Sequence, residues 1–83
     1  MKYTVTWAPT AERALAEIWL RASDRTAVTE ASNRIDQALK HDPETKGESR
    51  GRNDRILLES PLGVDFEVNA LDLKVTVLTV WTY

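Results

Sequence analysis

Residues 56–83 contain three runs of strand-forming residues with little chain between them, and this spacing restricts the possible fold more than any other feature. The runs cover residues 56–59, 64–68 and 74–80, and Val, Ile, Leu, Phe and Thr dominate them. Joints rich in turn-forming residues separate the runs at residues 60–63 and 69–72. Since strands joined by such short turns run antiparallel, the sequence predicts a three-stranded meander.

The alternation within these runs predicts which side chains face the core. We expect three apolar or small pairs across the strands, namely Val68 with Val75, Phe66 with Val77, and Val64 with Thr79. Asp65 and Glu67 then point to the opposite face, which we expect to be open.

A further strand and two helices precede the meander. Residues 3–7 alternate between apolar and polar and predict a strand. Thr10, which follows a proline, is the expected cap of a first helix, and Asp24 is the expected cap of a second. The second helix is expected to end at Lys40, before Pro43. Apolar stripes are predicted at Ala11, Ala14, Leu15, Ile18, Trp19 and Ala22, and at Val28, Ala31, Ile35, Ala38 and Leu39.

The resulting order, β-α-α-β-β-β, predicts an α+β fold. A helical hairpin with one apolar stripe on each helix needs a third surface to bury both stripes, and the sheet supplies it. We therefore expect the hairpin on one face of a small, mainly antiparallel sheet, with the first strand beside the last. A chain of 83 residues has room for one core, so residues 1–83 are predicted to form a single domain.

Composition excludes several classes of site. The chain has no Cys, which excludes disulfides and thiolate metal sites, and a single His, which is too few for a histidine-based metal site. No run reaches the roughly 18 apolar residues of a membrane span, and no leader precedes the first strand. We expect a cytoplasmic protein without metal or cofactor. The net charge of -2 provides no general attraction for nucleic acid.

Positive charge is concentrated before the meander. Residues 1–55 hold ten Lys or Arg and nine Asp or Glu, whereas residues 56–83 hold one and four. The cations closest to the sheet are Lys46, Arg50, Arg52 and Arg55. Because guanidinium groups bind phosphate and carboxylate through a planar fork, this loop is a candidate binding site. The alternative is a solvated loop whose arginines pair with Glu48, Asp54 or Glu67.

The remaining candidates are aromatic side chains and the single histidine. Trp7 and Trp19 lie on predicted apolar faces, so we expect both in the core rather than stacked on bases. Trp81, near the end of the last strand, is a candidate contact to a target. His41 follows the second helix, where a cation suits the helix dipole, and proton transfer is its alternative role.

The order of elements and the apolar pattern resemble the RelE/ParE superfamily, the toxins of bacterial type II toxin–antitoxin modules. The matching features are the Tyr3-x-Val5-x-Trp7 strand, the Ala11 to Trp19 helix, the helix end before Pro43, the loop from Gly47 to Arg55, and the apolar sheet from Pro61 to Val80. The resemblance covers essentially the whole chain. Because its elements are mostly apolar, it indicates the fold more strongly than the mechanism.

The resemblance implies a toxin that arrests growth, is associated with plasmid stabilisation and binds a cognate antitoxin. Such an antitoxin covers exposed apolar surface, for which we expect Leu57, Leu78 and Trp81. By the same resemblance the target-binding residues are Lys46, Arg50, Arg52, Arg55 and Trp81.

Three functions remain open at this stage. The first is RNA cleavage: in family members that cut messenger RNA on the ribosome, cations hold the phosphate and a residue near the end of the last strand assists proton transfer. By this resemblance the catalytic residues are Arg52, Arg55 and Tyr83. The acidic sheet weakens this mechanism, as does the stop at Tyr83, where cutting members continue into a basic tail. A ParE-like binding mechanism, such as DNA gyrase inhibition, needs only a binding surface and is preferred. The third function is a non-toxic protein-binding module that keeps the fold.

Overall fold

The computed structural model describes residues 2–83. The elements follow in the order β1 (Thr4–Trp7), α1 (Pro9–Arg21), α2 (Arg25–Lys40), a 3-10 helix (Pro43–Thr45), β2 (Glu48–Ser49), β3 (Asp54–Glu59), β4 (Leu62–Asn69) and β5 (Lys74–Thr82). The strands form one sheet in the order β1-β5-β4-β3-β2, in which β1 and β5 are parallel and the other neighbours antiparallel. The predicted α+β class, the mainly antiparallel sheet and the place of the first strand are confirmed, whereas the short β2 was not predicted.

The first helix begins two residues earlier than its predicted cap requires. Pro9 occupies the first helical position, which its fixed φ angle suits, and the N-cap is Ala8. Thr10 is therefore already inside the first turn, and its predicted capping role is wrong. The Thr10 hydroxyl instead donates to the Leu78 carbonyl at 3.5 Å, which connects α1 to β5.

The second helix follows its sequence signals closely. The Asp24 side chain accepts a hydrogen bond from the Ala27 N–H at 3.0 Å, so the predicted cap is confirmed. The helix ends at Lys40, before Pro43, also as predicted. Its buried face consists of Val28, Ala31, Ile35 and Leu39. Neither helix within residues 2–83 has the length and apolar character needed to cross a membrane.

The pairing of β4 with β5 differs from the prediction in its second half. Two predicted pairs are confirmed, Val68 with Val75 and Phe66 with Val77. The third pair is wrong, because Val64 lies opposite Val80 rather than Thr79. All of these valines and the phenylalanine are buried.

A β-bulge causes this difference. The register shifts between Asp65 and Phe66, where β5 contains one additional residue. Val77 and Val80 are three positions apart, so strict alternation would place only one of them on the apolar face. Leu78 lies in the interval, and the bulge there allows both valines to face the core.

The core lies between the helical hairpin and one side of the sheet, which we call the inner face. The largest fully buried side chains are Ile35, Leu39, Pro43, Leu62, Val64, Phe66, Val75 and Val77. Arg34 of α2 fastens the hairpin to the sheet, because its guanidinium donates to the Glu59 carboxylate at 2.8 Å and to the Ser60 carbonyl at 3.1 Å. The opposite side of the sheet, which we call the open face, is not covered by either α-helix of residues 2–83.

Trp19 does not enter the core, so that prediction is wrong. Its side chain is 40% exposed, and its indole N–H donates to the Thr29 hydroxyl at 3.2 Å. The Arg25 guanidinium lies over the ring at 4.6 Å from its centroid, a cation–π arrangement. Trp19 thus packs against α2 rather than the sheet, whereas Trp7 packs against the core as predicted.

The exposed apolar side chains are not the predicted ones. Leu57, Leu78 and Trp81 are half-buried, and Leu57 packs against the core because it pairs with the buried Val64. The large apolar side chains that are exposed are Trp19, Leu20, Leu58, Leu71 and Tyr83.

Replacing Gly47 by Ala is expected to destabilise the fold. Gly47 has a φ of +64°, and a Cβ there would overlap the Ile56 carbonyl oxygen. We expect Gly47→Ala to lower the free energy of unfolding by about 1–3 kcal/mol. Gly51 is the matched control, since a Cβ there meets no atom within 4 Å, and Gly51→Ala should change stability by less than about 0.5 kcal/mol. Urea denaturation measures both, and equal midpoints would contradict the prediction.

Candidate functional site

The predicted basic site covers residues 46–55, which we call the loop and which includes the first two residues of β3. Within it, the Arg55 guanidinium donates from Nε to the Lys46 carbonyl at 2.7 Å and from Nη2 to the Gly47 carbonyl at 3.1 Å. Arg55 is half-buried in this arrangement. Two of its donors are therefore directed at its own backbone, and the side chain closes the loop onto the start of β3.

The other two arginines of the loop are more exposed. Arg50 lies 3.2 Å from the Glu48 carboxylate, an exposed ion pair of the kind that contributes little to stability. Arg52 lines a depression of about 490 Å³ together with Arg55, Glu44 and Glu67. Carboxylates thus stand beside both guanidinium groups of this depression.

Tyr83 lies away from the arginines, near the opposite end of β4. Its backbone N–H donates to the Pro61 carbonyl at 3.4 Å, and its side chain is 62% exposed. Arg55 pairs with Phe66 of β4, which lies five residues beyond Pro61 in the chain. At the rise of a β-strand this separation is roughly 17 Å. The structure therefore brings Arg52 and Arg55 together but does not bring Tyr83 to them.

Acidic side chains dominate the open face. Strand alternation and register place four carboxylates on it: Glu48, Asp54, Asp65 and Glu67. Lys74, at the far end of β5, is the one cation that the strands of residues 2–83 place on this face. The outward position of Asp65 and Glu67 agrees with the prediction. The contribution of Asp54 and Glu48 follows from the register and from β2, which local sequence patterns did not indicate.

Asp65 is the carboxylate with the most perturbed environment. It is half-buried, and its Oδ1 atom has no hydrogen-bond partner among residues 2–83. Burial, followed by interaction with the neighbouring Asp54 carboxylate, raises the pKa of Asp65 to about 6. The negative charge of the open face therefore increases as the pH rises through 6.

An apolar row lies beside the acidic one. Leu58, Gly63 and Trp81 are aligned across β3, β4 and β5 on the open face. A Cβ on Gly63 would lie 2.6 Å from a carbon of the Trp81 ring, so the indole packs directly on the glycine backbone. Leu58, on the other side of the glycine, is 55% exposed.

His41 stands apart from these groups. It is exposed at the end of α2, where its backbone N–H donates to the Ala38 carbonyl at 3.3 Å. Among the residues that the structure describes, no three His, Asp or Glu side chains are grouped as metal ligands would be.

Comparison with known proteins identifies the fold. No protein-family model and no curated protein matches the chain. The chain is similar to the RelBE2 toxin–antitoxin complex of Mycobacterium tuberculosis, with 16% identity over 100% of this chain and 93% of that chain and a TM-score of 0.82. It is similar to the RelE–RelB complex of Pyrococcus horikoshii, with 17% identity over 99% of this chain and 96% of that chain and a TM-score of 0.72. It is also similar to the chromosomal ParDE system of P. aeruginosa, with 15% identity over 98% of this chain and 96% of that chain and a TM-score of 0.67. The RelE/ParE fold implied by the resemblance is confirmed.

Replacing Asp65 by Asn is expected to stabilise the protein above pH 6. The pKa of Asp65 is about 6 in the folded state against an ordinary value of 3.8, so the folded state binds the proton more tightly than the unfolded state. The contribution of this group to the free energy of unfolding therefore falls between pH 4 and pH 6. Allowing for solvent screening, we expect Asp65→Asn to gain about 1 kcal/mol at pH 7 and none at pH 3.5.

The control for this variant is Glu30→Gln, which removes an exposed carboxylate on α2. Urea denaturation at several pH values measures the two variants and the parent. A parent-like pH dependence in Asp65→Asn would show that Asp65 does not carry the perturbed titration.

Proposed function

We propose that this protein is the toxin of a type II toxin–antitoxin module, and that it arrests growth by binding a cellular protein rather than by cutting RNA. DNA gyrase, the target attributed to ParE-like toxins, is the first candidate, and a cognate antitoxin is the second partner. The support is a fold similar to RelE and ParE toxin–antitoxin structures over nearly the full length of both chains.

The charge of the open face is the observation that favours protein binding over RNA cleavage. Cleavage of a phosphodiester requires positive groups around the phosphorane, together with a proton acceptor and a proton donor. The open face instead presents Glu48, Asp54, Asp65 and Glu67. Phosphate oxygens approaching this surface meet charge of their own sign.

The positions of the proposed catalytic residues favour binding as well. Two donors of Arg55 are used by the Lys46 and Gly47 carbonyls, and Tyr83 is roughly 17 Å along the strand from this arginine. A tyrosine has an ordinary pKa near 10 and needs cations close by to accept a proton at neutral pH. RNA cleavage by a RelE-like ribosome-dependent mechanism is therefore the second candidate.

Within the binding mechanism we assign target contacts to the exposed cations of the loop and to Trp81. Arg50 and Arg52 are exposed, and Lys46 is half-buried. Arg55 contributes by holding the loop in place, since its guanidinium bonds the loop backbone. The contacts on the target are expected to be acidic.

Removing the exposed arginines tests the target contacts. Induction of the protein in a bacterial host is expected to arrest growth. The double variant Arg50→Ala and Arg52→Ala is expected to raise colony counts at least about tenfold over the parent, because removing a hydrogen bond between charged groups costs about 1.5–3 kcal/mol of binding free energy. The matched control is Arg13→Ala with Arg21→Ala, which removes two exposed arginines of α1.

Circular dichroism should show that both double variants keep the fold. Equal arrest by the parent and the loop variant would remove Arg50 and Arg52 from the target surface. If the parent itself does not arrest growth, the protein is a non-toxic binding module that keeps the toxin fold.

The Tyr83 hydroxyl separates the enzymatic from the binding mechanism. Tyr83→Phe keeps the ring and removes the group that would move a proton, and an acid–base residue contributes about 10²–10⁴-fold in rate. We expect growth arrest by this variant to stay within about threefold of the parent, since an exposed hydroxyl exchanges its hydrogen bonds with water at little net cost. Sequencing of ribosome-bound messenger after induction should show no codon-phased cuts. Such cuts in the parent and their disappearance in Tyr83→Phe would establish a ribosome-dependent nuclease.

A further inference from the structure

The open face has a regular pattern along β4. Gly63, Asp65 and Glu67 occupy alternate positions of this strand, so they follow one another on the open face at intervals of roughly 7 Å. The first position lies in the apolar row between Leu58 and Trp81. The face therefore runs from an apolar end to two acidic positions.

The acidic positions lie close to one another, and Glu67 also lines the depression of Arg52 and Arg55. Asp54 pairs with Glu67 across β3 and β4, which places two carboxylates at the third position. None of Asp54, Asp65 and Glu67 forms a salt bridge within residues 2–83. Carboxylates without a salt bridge, on a sheet face that no helix of residues 2–83 covers, are complementary to cations of another molecule.

We propose that the open face binds an extended segment of a partner protein in which an apolar residue is followed, at two-residue spacing, by two Lys or Arg residues. Alternate side chains of an extended segment lie on one side and are roughly 7 Å apart, as the positions along β4 are. The apolar residue lies beside Trp81 and Leu58 over Gly63. The first cation then reaches Asp65, and the second reaches Glu67 and Asp54.

The partner is a protein of different sequence rather than nucleic acid or a second copy of this chain. A nucleic acid brings phosphates, which the carboxylates repel. Within the 83 residues, Arg50 and Arg52 are the one pair of cations at two-residue spacing, and Glu48 stands where the apolar residue is required. This chain therefore lacks the segment that its own open face accommodates.

Two short peptides of identical composition test the spacing. The first carries Leu-Thr-Lys-Thr-Lys between serine flanks and presents the three side chains on one side of an extended chain. The second carries Leu-Lys-Thr-Lys-Thr, which moves both lysines to the side opposite the leucine. In fluorescence anisotropy with the full-length protein at low salt, the first peptide should bind at least about tenfold more tightly, a difference near 1.4 kcal/mol.

Variants of the open face test the location. Leu58→Ala and Glu67→Gln should each weaken binding of the first peptide about three- to tenfold, because one removes the apolar contact and the other an ion pair. The matched controls are Leu20→Ala and Glu30→Gln, which change exposed residues of the helical hairpin and should leave binding unchanged.

Three outcomes would overturn the proposal. Equal affinity for the two peptides would indicate attraction by net charge alone, and parent-like binding by the open-face variants would place the peptide elsewhere. Dimerisation detected by sedimentation that competes with the peptide would identify a second copy as the occupant. The measurement does not involve growth arrest, so its result is independent of the proposed toxin function.

Discussion

The pairing of β4 with β5 is the interaction on which the other parts of the structure depend. β1 joins the sheet along β5, β3 joins it along β4, and the helices pack on the inner face that these two central strands form. Because side chains alternate in a strand, a slip of one residue would turn the buried valines outward. The bulge at Leu78 prevents this conflict by allowing Val77 and Val80 to remain buried together.

The register of β4 with both of its neighbours determines the chemistry of the open face. With Val64 and Val80 paired on the inner side, Asp65 and Thr79 are paired on the outer side. The β3–β4 register places Asp54 diagonally across from Asp65, and the proximity of the two carboxylates contributes to the raised pKa of Asp65. Core packing and surface charge therefore both depend on the register of β4, and a slip of that strand by one residue would alter both.

The arginines of the loop show that a basic sequence segment differs from a basic binding surface. A guanidinium has five donors, and backbone carbonyls of an irregular loop need donors as much as a ligand does. Arg55 satisfies the Lys46 and Gly47 carbonyls, while Arg50 lies against Glu48. Of the three, Arg52 has the fewest polar partners within residues 2–83, which makes it the arginine best placed to meet another molecule.

Local sequence signals predicted the elements well and their long-range contacts less well. The Asp24 cap, the end of α2 at Lys40 and the order of the meander follow from residues close together in the chain. The pairing of β2, the packing of Trp19 and the role of Arg55 depend on partners that only the folded chain brings near. The three-residue spacing of Val77 and Val80 is a sequence signal for the bulge, which a strict two-residue alternation does not take into account.

For the candidate site, the charge of the surface depends more on where each residue lies in the fold than on which residue types the sequence contains. The sequence suggested that cations of the loop and carboxylates of the sheet compete on one surface. The structure separates only part of this charge, because Arg55 bonds the loop backbone whereas Arg50 pairs with Glu48 and Arg52 lines a depression with Glu67. Partner choice on such a fold depends on the sign of the charge on its one uncovered sheet face, because the opposite face is committed to the helices. An acidic face disfavours nucleic acid and favours a basic protein segment, and the apolar row of Leu58 and Trp81 adds a short-range contact that charge alone does not provide.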